Sequence, residues 1–371
     1  MIPKEHAHLD IAAITHEGMS GKNNEDRYGV SAHIISETNP ISSVFAIVAD
    51  GIGGHSAGEI AAEIAVETIS HAVASSDGSD PRTTLEKAII QTGLLVNDQA
   101  KIDAAQQGMG STCVCTWILE DRLYIASVGD SRIYLIRGET IRQLTTDHTW
   151  VQEAVEHGII APEQVRGHPQ SHIIRRYLGS SSPVEPDFRL RLDLEESDEQ
   201  ALANQGAQLL PGDKLLLCSD GLTDLVEDDE ILETLQQQGL DAASKHLVDL
   251  ANQRGGHDNT TIVILEVPKI PEEEDEQQKK KTPSKKLYWL VGIVMSIVAL
   301  IVITTLAFVA WQFTHPEATP TITPQAATPS ITETSIPPTD EINTSATSSP
   351  LLTETPIQIQ TTPQPALTPE G

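Results

Sequence analysis

An α+β fold built on antiparallel strands, followed by one membrane-spanning helix and a disordered tail, is what the sequence predicts. Strand-like apolar runs crowd together over residues 113–136, leaving too little chain between them for parallel crossovers. A charge-free stretch over residues 287–311 exceeds the ~20 residues that span a bilayer as a helix. Beyond it, Thr, Pro, Ser, Ala and Gln dominate, with too little large apolar surface to offset the entropy of folding.

In chain order, residues 1–10 include Pro3, Lys4, Glu5 and Asp10, so no apolar core of a signal peptide is expected there. Runs rich in Val, Ile and Leu predict strands over residues 11–15, 44–48, 113–119, 123–128, 133–136, 214–218 and 261–267. Helical periodicity predicts helices over residues 57–73, 84–104, 149–156, 228–238 and 241–252. Together they make one globular domain over residues 1–268. Cys113, Cys115 and Cys218 sit in apolar runs without C-x-x-C or zinc spacing, and read as small buried hydrophobes.

Residues 269–286 form a charged linker, acidic over 272–276 and then basic at Lys279, Lys280, Lys281, Lys285 and Lys286. No Lys or Arg follows the 287–311 segment, so the lysine side is expected in the cytoplasm and the 312–371 tail outside. Tyr288, Trp289 and Trp311 stand where amphipathic rings meet the headgroups. The 53 acidic residues against 24 basic ones give a net charge of −29, which repels nucleic acid.

The aspartates carry the chemistry. Asp50 follows FAIVA, Asp130 follows LYIASVG, Asp220 follows KLLLCS, Asp258 precedes TTIVILEV, and Asp26 opens the run RYGV. Each stands at a strand end, and Gly51, Gly129 and Gly221 beside three of them let the backbone approach a ligand. Any one Asp-Gly pair is an ordinary turn. Several converging carboxylates repel by a few kcal/mol per pair at an effective dielectric of about 20, so together they need cations. All-oxygen ligation selects Mg2+ or Mn2+ over zinc and copper. Two such ions, sharing a carboxylate and a water, suit hydrolysis of a phosphoester without a covalent nucleophile.

These motifs resemble the metal-dependent, type 2C (PPM) protein serine/threonine phosphatases, in their bacterial membrane-anchored form. They are N-N-E-D at 23–26, V-A-D-G-I-G-G-H at 48–55, G-S-T at 110–112, V-G-D-S-R at 128–132, S-D-G-L at 219–222 and D-N-T-T at 258–261. The resemblance covers roughly residues 9–267 and implies a four-layer α-β-β-α sandwich of two antiparallel sheets. It also implies that Asp50 bridges two central metals, Gly51 offers its carbonyl, Asp220 binds the first metal and Asp258 the second, with Asp26 supporting the second through water. Asp130 would share a third ion with Asp220. The segment from Asp147 to Gly179 resembles the family's mobile flap and the arm that follows it.

Two positions depart from the family. Gly21 stands where an arginine usually binds substrate phosphate, and the neighbouring Lys22 offers a point charge in its place. Ile52 replaces the histidine that follows Asp-Gly in the animal enzymes, leaving His55 as the candidate general acid. The function expected is hydrolysis of phosphoserine and phosphothreonine in cytoplasmic proteins, opposing a membrane serine/threonine kinase. The alternative is a membrane-tethered pseudophosphatase acting as a binding or sensing module.

Overall fold

The computed structural model describes residues 1–53, 57–269 and 285–314, and the chain divides into two units, Met1–Glu274 and Asp275–Gly371. The first unit holds strands β1 (Ile2–Pro3), β2 (Asp10–His16), β3 (Arg27–Ile34), β4 (Ser42–Ala49) and β5 (Gly51–Ile52), then helices α1 (Ala57–Ser75) and α2 (Pro81–Ile102). Strands β6 (Gly110–Ser111), β7 (Cys113–Leu119), β8 (Arg122–Val128), β9 (Arg132–Arg137) and β10 (Thr140–Gln143) follow, and then α3 (Trp150–Glu156) and α4 (Asp198–Ala203). The unit closes with β11 (Ala207–Gln208), β12 (Lys214–Cys218), α5 (Asp220–Thr223), α6 (Asp228–Gln237), α7 (Leu240–Gln253) and β13 (Thr260–Glu266).

Two antiparallel sheets result, one in the order β1-β3-β4-β7-β8-β11 and the other β10-β9-β12-β13-β2, besides a short β5-β6 pair. Strand periodicity explains how one strand serves two cores. On β4, Val44, Ala46 and Val48 cluster with Val114 and Ile125 of their own sheet and with Ile133, Leu217 and Val263 of the other. The alternating Phe45, Ile47 and Ala49 join Ala62, Ala65 and Ile69 of α1 and Leu85 and Ile89 of α2. On the second sheet, Tyr134, Leu216 and Ile264 cluster with Leu222, Ile231, Leu235, Leu247 and Ala251 from α5, α6 and α7.

Local sequence sets the element ends. Helix α2 starts where the Asp80 carboxylate accepts the Thr83 N–H and Pro81 takes the first turn, where a missing N–H costs nothing. The alanines of α1 let it lie close on its sheet. Cys113, Cys115 and Cys218 are free thiols buried in these cores.

The close-set runs over 113–136 do not stay in one sheet. Strands β7 and β8 pair as a hairpin, whereas β9 pairs with β12 in the other sheet. The crossing is made at Gly129, whose φ of +103° is open to glycine but strained for other residues. Strands β1, β10 and β11 and helices α4 and α5 are too short or too polar to stand out in the sequence.

In the second unit, helix α8 (Lys285–Thr314) contains Gly292–Trp311, long and apolar enough to cross a membrane, with a mean hydropathy of 2.8. Its hydroxyls turn inward on the helix: Ser296 donates to the Gly292 carbonyl at 2.8 Å and Thr305 to that of Ile301 at 2.8 Å. The 312–371 tail, apart from residues 312–314, and most of the 269–286 linker lie outside the described residues.

Candidate active site

Strand β4 delivers Asp50 to the edge of its sheet, where both ends of the residue's backbone are held. Its N–H donates to Thr112 Oγ1 at 3.0 Å, and its carbonyl accepts from the Thr112 N–H at 2.8 Å and from Ser111 Oγ at 3.0 Å. Gly51 packs so closely on the start of α1 that a Cβ there would lie 2.3 Å from the Gly58 carbonyl oxygen. Gly221 is tighter still, its absent Cβ falling 1.9 Å from the Asn259 carbonyl oxygen. In both places glycine is required by contact.

Ser219, at the end of β12, joins three of the motifs. Its hydroxyl donates to Asp26 Oδ2 at 2.7 Å and accepts the Thr261 N–H at 2.9 Å. Asn259 does similar work one strand away: Oδ1 accepts the Glu25 N–H at 2.7 Å while Nδ2 donates to the Glu17 carbonyl at 3.0 Å. The loop before β3 is thereby tied to the start of β13. Arg27 braces the same loop, donating to the Asp26 carbonyl at 2.7 Å and pairing with Glu59.

The aspartates named from sequence meet at this edge. Burial first, and then the charges of Asp26, Asp220, Asp130 and Asp258, push the Asp50 carboxyl well above the usual carboxylate range. Asp220 is raised likewise, by burial and then by Asp130, Asp224, Asp258 and Asp26. Burial pushes Asp26 up to about 6 and Asp130 up to about 7. Asp26 Oδ1, Asp130 Oδ1 and Asp220 Oδ1 are buried without a hydrogen-bond partner. Orphaned carboxylate oxygens are costly, and several facing one another fit hard divalent cations, which satisfy the lone pairs and the charge together.

Beside this edge lies a cleft of about 220 Å³ lined by Asp130, Arg132, Asp147, Arg166, His172, Asp220, Asp224 and His257 among others. Ligand atoms of His172, Asp220 and Asp224 lie within 4.8 Å of one another. Sequence reading missed Asp224 and His172. The signal available was the spacing of Asp224 four residues after Asp220, which stacks the two across one helical turn. Arg132 and Asp147 form a bidentate pair at the cleft, Nε to Oδ2 at 3.0 Å and Nη2 to Oδ2 at 2.7 Å, with Nε also 3.1 Å from Oδ1.

The two departures fare differently. Gly21 has φ +72°, and nothing lies within 4 Å of where its Cβ would be, so a larger residue would have space but a strained backbone. Lys22 is exposed. His55 lies outside the described residues.

Comparison with known proteins finds relatives in sequence and in fold. The family description "Protein phosphatase 2C" matches residues 15–154. The serine/threonine protein phosphatase PstP of Mycobacterium tuberculosis is 33% identical over 259 residues, 70% of this chain but 45% of that protein, so the chain matches less than half of its length. A putative protein phosphatase 2C-type of Streptococcus pyogenes is 34% identical over 262 residues, covering 69% of this chain and 97% of the relative. A solved catalytic domain of PstP in complex with 2 manganese ions superposes with a TM-score of 0.57 at 32% identity, covering 70% of this chain and 97% of that one. With 34% identity and near-complete coverage of such a relative, the chain belongs to the protein phosphatase 2C family.

Proposed function

We propose that this chain is a metal-dependent serine/threonine protein phosphatase that hydrolyses phosphoserine and phosphothreonine in cytoplasmic proteins, opposing a membrane serine/threonine kinase. The observation that carries the reading is the convergence of Asp26, Asp50, Asp130, Asp220 and Asp258 from separate strand ends, with buried oxygens left unpartnered. On this reading Asp50, the Gly51 carbonyl, Asp220 and Asp258 hold two central ions, Asp26 supports the second, and Asp130 with Asp220 holds a third. Mn2+ or Mg2+, when bound, would supply the charge that acidifies an attacking water and neutralises the phosphate.

The chain's own residues do the rest. Thr112 and Ser111 fix the Asp50 backbone, so its carboxylate is placed before any ligand arrives. Ser219 orients Asp26 through one oxygen and leaves the other free to accept. Lys22 is the candidate phosphate clamp and His55 the candidate acid for the leaving alkoxide. The domain spans 1–268 as an α-β-β-α sandwich in four layers, and residues 269–286 link it to a helix that crosses the cell membrane at 287–311. The catalytic domain then faces the cytoplasm and the 312–371 tail the exterior.

The test is Mn2+-dependent phosphate release from a phosphothreonine peptide by the full chain in detergent micelles, beside Asp220→Asn and Lys22→Ala. Turnover abolished by chelator and by Asp220→Asn is expected, with a rise in KM for Lys22→Ala. Folded wild-type protein that binds Mn2+ yet turns over no phosphopeptide would sink the catalytic reading.

A further inference from the structure

We infer that His148 is a positioning residue for the metal carboxylates: its imidazole holds the Gly129 N–H while its backbone holds the Gly129 carbonyl, fixing the crossing on which Asp130 and Asp50 depend. The inference rests on the metal-dependent reading above. Gly129 donates its N–H to His148 Nδ1 at 3.0 Å, and the His148 N–H returns a bond to the Gly129 carbonyl at 2.9 Å. The histidine is 6% exposed. A backbone N–H can only donate, so Nδ1 carries the lone pair and the neutral ring holds its proton on Nε2. Nε2 faces Asp187 Oδ2 at 3.3 Å, and Arg176 Nη1 lies 3.3 Å from the same nitrogen.

Asp187 is itself fixed. Arg189 donates to its Oδ2 at 2.6 Å and 2.8 Å, and its backbone exchanges two 2.9 Å bonds with Ser127, two residues before Gly129. The imidazole thus stands on a rigid base and reaches one peptide.

That peptide matters for two reasons. Gly129, which carries this N–H, directly precedes Asp130, whose Oδ1 is buried without a partner. It also presses on Thr112, whose Cγ2 lies 2.6 Å from where a Gly129 Cβ would be. Thr112 Oγ1 accepts the Asp50 N–H at 3.0 Å and meets Ser131 Oγ at 2.7 Å. A contact chain from His148 through Gly129 and Thr112 therefore ends on Asp50. The same histidine anchors the base of the flap: its carbonyl accepts the Arg175 N–H at 2.8 Å, and the next residues continue the ladder through Trp150 N–H to the Ile173 carbonyl at 2.9 Å. One residue thus joins the 147–179 segment, through its backbone, to the Gly129 turn, through its side chain.

Two substitutions separate positioning from mere bulk. His148→Asn keeps an acceptor close to the place of Nδ1, while His148→Gln carries its amide out toward Asp187 and lacks that near acceptor. Mn2+ affinity by calorimetry and hydrogen exchange of the Gly129 amide are measured on the full chain in detergent micelles, with melting curves as the folding control. The Gln variant is expected to bind Mn2+ about 10–100-fold more weakly and to exchange the Gly129 amide faster. The Asn variant should regain most of both. Wild-type affinity in the Gln variant, or an equal loss in both variants, would overturn the inference. A wild-type chain that takes up no Mn2+ would overturn the metal reading, and the inference with it.

Discussion

Asp26 and Asp130 hold protons in the folded, metal-free chain at pH values where an unfolded aspartate has lost them, with pKa values near 6 and 7 against an ordinary value of 3.8. Burial is the first cause in both. A raised folded pKa means that the folded state binds more protons, so the contribution of these two groups to stability is greatest below about pH 4 and is lost as pH rises toward 7. The chelated protein should therefore lose melting temperature between pH 5 and 7.5 and recover it on adding Mn2+. Asp130→Asn removes part of that penalty. It should raise the melting temperature of the chelated protein at pH 7.5, by about 2–4 °C for each kcal/mol relieved, while weakening Mn2+ binding. A melting temperature that rises with pH in chelator would contradict the assignment. The carboxylates were legible in the sequence because each follows or precedes an apolar run. Thr112, Ser219 and Asn259, which hold them, were not legible as such, since Ser219 and Asp26 bond across 193 positions of chain.

At the scale of elements, the crossing from β8 to β9 is where the two sheets are joined and where Asp130 is aimed. Gly129→Ala introduces a methyl group 2.6 Å from Thr112 Cγ2 at a φ of +103°. A loss of about 1–3 kcal/mol in stability is expected from the backbone strain alone, read as a lower urea midpoint. The cysteines on β7 and β12 give a second check. Cys113, Cys115 and Cys218 are fully buried, and burial pushes the Cys218 thiol up to about 12. None should react with a thiol reagent until the domain unfolds. Labelling at the rate of a free thiol in native buffer would show that the sheets open locally. Strands 113–119 and 214–218 could be read to the residue because apolar β-formers fill them. Helix α5 could not, being only four residues long.

For the whole molecule, the apolar helix α8 and the charge of −29 set the expected behaviour. The full chain should remain in the membrane pellet after an alkaline carbonate wash, and a chain ended at Pro268 should move to the soluble fraction. A full chain released by carbonate would argue against a spanning helix. High ionic strength should leave the pellet unchanged, since an apolar span is not screened by salt.

The sequence by itself determined the strand and helix runs, the apolar span, and the family through ordered Asp-Gly motifs, because each is a local pattern in composition and spacing. Tertiary structure alone decided that β9 leaves the sheet of β8, that Asp224 and His172 join Asp220, and that His148 closes on Gly129. Those depend on backbone conformation at one glycine and on partners far apart in the chain, and no local periodicity encodes which distant donor meets which acceptor.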